Sequence, residues 1–131
     1  EIMKGYEKYY ECSLRVERNK ILEIEKRSHL LFHVAWDEQP GIIASKIYEY
    51  IASGTFILVT PTDNGSIQEI IEASKCGRCT KTVDETFDFL KNEYNNYLKG
   101  NFRKNDISQK EVQQFSRENQ TKHLAEILDS I

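Results

Sequence analysis

What the chain lacks narrows its class before any motif is considered. It has no excess of basic residues: 18 Lys+Arg stand against 21 Asp+Glu, a net charge of −3, so no basic footprint argues for nucleic acid as a partner. No apolar run approaches the length of a membrane span, and the N-terminus lacks the apolar core of a signal peptide. Three cysteines, an odd number, do not make a disulfide framework; they fit a reducing compartment, and the cytoplasm is the expected location. Internal repeats and low-complexity segments are also missing. So is a Met at position 1. The chain opens with Glu1-Ile2-Met3-Lys4-Gly5 as if mid-domain, which predicts a fragment of a longer protein unless Met3 is an internal start.

What remains is ordinary soluble composition, 39% hydrophobic and 30% charged over 131 residues. That length holds one domain with a sizeable core and is too short for two.

The patterning alternates strand and helix. Residues 3–12 read as a short polar helix with Tyr6, Tyr9 and Tyr10 near one face. Leu14 and Val16 alternate with charges, as in a short strand, and residues 19–28 read as a helix. Residues 30–36 are nearly all apolar, as in a strand covered on both faces. Asp37 to Gly41 is a loop. A helix over Ile42–Ser53 places Ile43, Ile47 and Ile51 on one stripe and leaves Glu49 off it. Gly54 suits a left-handed helix stop, and Phe56–Val59 reads as a buried strand. After the turn Asp63-Asn64-Gly65, Ser66 and Glu69 form a capping box for a helix over Ile67–Ser74. Residues 78–82 suggest a short strand. Asp84 caps a helix over Glu85–Lys99 whose apolar stripe is Phe87, Leu90, Tyr94, Tyr97 and Leu98. Residues 100–108 are polar and read as a linker. Residues 109–131 form a closing helix. The expected fold is α/β, a Rossmann-like and mainly parallel sheet flanked by helices.

Chemistry concentrates in the run PGIIASKIYEYIASGTFILVTP, residues 40–61. The first turn of a helix carries unpartnered N–H groups and the positive end of the dipole. Gly41 lets a ligand approach that backbone, with Ile42 beside it. Ser45 adds a hydroxyl and Lys46 a compact positive charge, both suited to a diphosphate. Glu49, two turns from Gly41, suits a pair of ribose hydroxyls. The plainer alternative makes Gly41 a turn, Lys46 a solvated residue and Glu49 its i+3 ion-pair partner. Cys76-Gly77-Arg78-Cys79 has C-x-x-C spacing without a second ligand pair, so packing is the expected role and no metal is implied. His33 reads as a core or sheet-face histidine, with Trp36 and Asp37 near the same strand end, where open α/β sheets bind ligands.

The run from 40 to 61 resembles the donor-binding half of retaining-type glycosyltransferases of the B fold, group 1-like. These carry a similar loop, a "KxxEYxASG" helix and an apolar strand. The likeness extends over about residues 30–130, through GSIQEII and the closing FSRENQTKHLAEIL. The resemblance implies that Glu49 binds the ribose of a nucleoside diphosphate sugar and that Gly41–Ser45 faces the diphosphate and donor sugar. That sugar nucleotide is a substrate, and no cofactor is implied. The family's first acidic residue, eight positions before the helix Glu, is Gly41 here. Shorter branches with a "PGKxxEY"-like loop also lack it. B-fold enzymes bind substrate between two domains, so the resemblance implies a missing N-terminal acceptor domain and an N-terminally incomplete donor domain. It also leaves room for peripheral membrane association of the full-length protein.

The leading expectation is therefore glycosyl transfer from a nucleoside diphosphate sugar to an unknown acceptor, with no catalytic residue assigned. The backbone dipoles and Lys46 would stabilise the leaving diphosphate, and Glu49 would orient the donor. The alternative is a non-catalytic Rossmann-like module that binds a nucleotide or a protein. A response-regulator-like domain with Asp37 as phosphoacceptor is a third reading.

Overall fold

The computed structural model describes residues 3–36, 39, 41–101, 107 and 109–131. Asp37, Glu38, Pro40 and most of the expected linker lie outside them. Three short strands, β1 (Leu31–His33), β2 (Ile57–Val59) and β3 (Gly77–Cys79), form one parallel sheet in the order β1-β2-β3. Helix α1 (Arg18–Arg27) precedes β1. Helices α2 (Ser45–Ser53) and α3 (Ser66–Ser74) connect the strands, and α4 (Val83–Leu98), α5 (Gln109–Gln113) and α6 (Arg117–Asp129) follow. The α/β class and parallel sheet are as the pattern predicted.

β2 is the central strand, paired with β1 on one side and β3 on the other. Ile57, Leu58 and Val59 are all fully buried, with alternate side chains serving opposite faces. Ile57 and Val59 pack with Ile47 and Ile51 of α2 and Ile67 and Ile71 of α3, which forms the main core. On the opposite face Phe89 of α4 stacks on Phe56, ring centroids 6.0 Å apart, and lies beneath the Arg78 guanidinium. Thr60 and Thr80 at the strand ends reach the Thr86 hydroxyl at 2.9 and 2.8 Å and fasten the first turns of α4 there.

Several local readings are corrected. Residues 3–12 contain only a 3-10 turn at Glu7–Tyr9, and Leu14 and Val16 lie outside any strand. β1 is covered on one face only: Leu31 and Ala35 are buried, whereas Phe32, Val34 and Trp36 are exposed. An apolar run thus marks an edge strand with one open face. The polar capping box at Ser66 does not form. Instead buried Asp63 reaches forward, accepting from Gly65 and Gln68 N–H through Oδ1 and from Ile67 N–H through Oδ2. Thr82, not Asp84, caps α4 by accepting from Glu85 N–H. The face that α4 buries is centred on Phe89; Phe87, Leu90, Tyr94 and Leu98 are exposed. The closing segment is two helices broken around Phe115, with Val112 and Phe115 packed on the core.

One expectation follows from the Asp63 cap. Asp63→Ala leaves three buried or half-buried N–H groups without acceptors and should cost about 2 kcal/mol in urea unfolding. Ser66→Ala should cost far less, because its side chain makes no cap bond.

Candidate functional site

The segment after β1 carries the chain from the sheet's C-terminal edge into α2. Gly41 sits at φ +94°, in the left-handed region, with open space around its Cα. The expected helix starts later than its periodicity suggested, at Ser45, with Ala44 in extended conformation as its N-cap and no side-chain cap. Ile42 is exposed and Ile43 packs on the core. Ser45 is therefore the first helical residue, and Glu49 stands one turn below it on the same face. Gly54 closes the helix in the left-handed conformation at φ +75°, as predicted.

Ser45 and Glu49 share a wall of a groove of about 1100 Å³ between α1, α2 and α6. Tyr48 and Phe115 form an aromatic part of its lining, ring centroids 6.0 Å apart. Arg18, Lys26 and Arg117 bring three positive charges to that lining, where Glu49 is the one carboxylate among the described residues. In a chain of net charge −3 this groove is locally basic. Such a lining suits an anion that also carries hydroxyl groups.

Lys46 lies off the groove. Its Nζ bonds Glu25 Oε1 at 2.5 Å and Glu49 Oε2 at 2.9 Å. The hydrogen bond that Lys46 donates to Glu25, ahead of the Glu49 contact, raises the Lys46 pKa above the usual lysine value. Arg18 holds the other Glu49 oxygen, Oε1, at 3.2 Å. The Lys46 bond, then its charge and that of Arg18, depress the Glu49 pKa. The four groups form a line from a buried carboxylate to an exposed guanidinium: Glu25, Lys46, Glu49, Arg18. The i+3 pairing of Lys46 with Glu49 is thus present, and Glu49 stays at the groove wall with it.

Sequence reasoning missed Glu25 and Arg18. Glu25 is 4% exposed, and its Oε2 has no hydrogen-bond partner among the described residues. Nothing in NKILEIEKRS distinguishes that glutamate from its neighbours. Arg18 opens α1 and reaches Glu49 only through the packing of α1 on α2.

The other sequence candidates lie apart from the groove. His33, Val59 and Cys79 occupy matching positions on the three strands. Burial lowers the His33 pKa, against the raising effect of Asp63, and its buried Nε2 has no hydrogen-bond partner among the described residues. Burial pushes the Cys79 thiol up to about 11 and raises Cys76 as well. Neither is an activated nucleophile. Cys76 is a core residue whose sulfur accepts from the Ser74 hydroxyl at 2.8 Å. Among the described residues no group of His, Cys, Asp and Glu is arranged to hold a metal ion, and no helix is long and apolar enough to cross a membrane.

Comparison with protein-family models, with curated proteins and with solved structures finds no match to this chain.

Proposed function

We propose that this chain is the donor-binding part of a B-fold glycosyltransferase. It takes a nucleoside diphosphate sugar, and a separate N-terminal domain supplies the acceptor. The observation that carries the reading is Glu49, a carboxylate on the wall of a basic groove, one turn from the uncapped start of α2. Glu49 would accept from two ribose hydroxyls and orient the donor. Gly41, Ile42 and Ser45 would meet the diphosphate, where the α2 dipole stabilises the leaving charge. Lys46 would set the position of Glu49 from behind. Glycosyl transfer of this kind breaks the bond between the sugar and the diphosphate oxygen. The acceptor hydroxyl's oxygen replaces that bond, its proton passing to the departing diphosphate or to water, and the diphosphate leaves with the negative charge the groove favours.

An amide NMR titration with UDP, GDP and their sugar conjugates tests the reading. Shifts are expected at residues 41–49. Glu49→Ala should weaken binding by about tenfold or more, because charge-assisted hydrogen bonds are lost. One observation favours a second reading, a non-catalytic nucleotide- or protein-binding module: Glu49 already sits in a complete ion-pair line. That reading predicts sugar-nucleotide binding, if any, that is indifferent to Glu49→Ala.

A further inference from the structure

Among the described residues Glu49 has two cationic partners, and they differ in what it takes to remove them. Lys46 is committed to Glu25, whose side chain is 6% exposed. If Lys46 left, a carboxylate would remain buried without its counter-charge, which is strongly unfavourable. Arg18 is the opposite case. Its side chain is 75% exposed and meets Glu49 at 3.2 Å. Pairs of that kind are weak and screened by salt.

The two contacts also point in different directions. Arg18 and Glu49 both line the groove, whereas Lys46 does not. The oxygen held by Arg18 is the one a ligand in the groove would reach.

We propose that Arg18 is an exchangeable counter-ion at this site: ligand hydroxyls take its place on Glu49 Oε1, and its guanidinium turns onto the ligand's phosphate. The proposal rests on the donor-site reading and assigns Arg18 the phosphate-binding role that the sequence suggested for Lys46. The exchange conserves charge pairing. Glu49 trades a cation for two hydroxyl donors while keeping Lys46, and Arg18 trades a carboxylate for a phosphate, which a guanidinium recognises through two parallel bonds. Arg117 and Lys26, on the same lining, keep the potential positive as the guanidinium moves. A ligand with hydroxyls and no phosphate gets only half of this exchange: it must displace Arg18 and offers it nothing in return.

That asymmetry gives the test. The full chain, Arg18→Gln and Glu49→Gln are titrated calorimetrically with UDP and uridine, and with GDP and guanosine, at low and moderate salt. Arg18→Gln should bind the nucleoside slightly more tightly, because its competitor for Glu49 is gone, and the diphosphate less tightly. The ratio of the two affinities is expected to fall by about tenfold, as for loss of one charge-assisted phosphate contact. A merely structural Arg18 would move both affinities together. Equal changes, or none, overturn the exchange and leave the donor reading standing, provided Glu49→Gln still loses both ligands. If the unsubstituted chain binds neither nucleotide nor nucleoside, the donor reading fails and the exchange fails with it.

Discussion

Replacing Gly77 with alanine is expected to prevent stable folding, or to lower stability by about 3 kcal/mol or more. Gly77 pairs with Ile57 in the parallel β2–β3 ladder. A Cβ on it would lie 2.2 Å from the Ile57 carbonyl oxygen, 3.0 Å from the carbonyl carbon and 3.1 Å from the Ile57 Cβ. The first two are backbone atoms of the central strand, so no rotamer change relieves the clash. β2 cannot retreat, because its three residues are fully buried between helices on one side and α4 on the other. The ladder must open instead, beginning at the Ile57 N–H to Cys76 C=O bond of 3.0 Å. Thermal unfolding followed by circular dichroism should show a loss on the order of 10 °C, if the variant folds at all. Gly41→Ala is the control. Gly41 has open space but a φ of +94°, so its cost should be only about 1 kcal/mol. If Gly77→Ala melts like Gly41→Ala, the close β2–β3 approach described above is wrong.

Lys46→Met should cost about 3 kcal/mol, the lower end of the range for orphaning a buried charge, because the lysine itself is 38% exposed. What is lost is the sole hydrogen-bond partner found for the Glu25 carboxylate among the described residues. Glu25→Leu combined with Lys46→Met removes both charges, and an apolar pair of similar volume should recover most of the loss. Urea unfolding of the two single variants and the double variant closes a double-mutant cycle. Additive effects would mean that the two groups do not communicate, which the 2.5 Å contact forbids.

The pH dependence of this network follows from the directions of the shifts. The folded-state pKa of Lys46 is raised above 10.5. Its contribution is therefore fully present below that value and is lost as pH climbs through the higher folded pKa. The folded-state pKa of Glu49 is depressed below 4.5. Its contribution is present above 4.5 and is lost as pH falls through the lower folded pKa. These two groups leave stability flat between about pH 4.5 and pH 10.5, the ordinary values of a free carboxylate and lysine. Lys46→Met should remove the alkaline decline that Lys46 causes.

The sequence by itself determined the alternation of strand and helix, the burial of β2, the apolar face of α2 and the stop at Gly54. Each of these is local. The run Ile57-Leu58-Val59 is apolar at every position, as a buried strand is, Ile47 and Ile51 four residues apart mark the buried face of α2, and a glycine after a helix marks its end. It also drew attention to Ser45 and Glu49, which the structure places together on one groove wall. Tertiary structure decided the rest, because the deciding partner lies far along the chain. Phe89 rather than Phe87 faces the sheet because Phe56 and Arg78 meet it there. Periodicity alone could not set the rotation of α4 about its axis. Asp63 is the exception: its partners Gly65, Ile67 and Gln68 are near in sequence, and the turn before α3 brings its carboxylate onto their N–H groups. Gly77 is required by the backbone of a neighbouring strand, not by its own φ. Glu25, one glutamate among many, is buried because Lys46, 21 residues away, can neutralise it there. A charge's environment is set by what packs against it, and spacing along the chain does not carry that information.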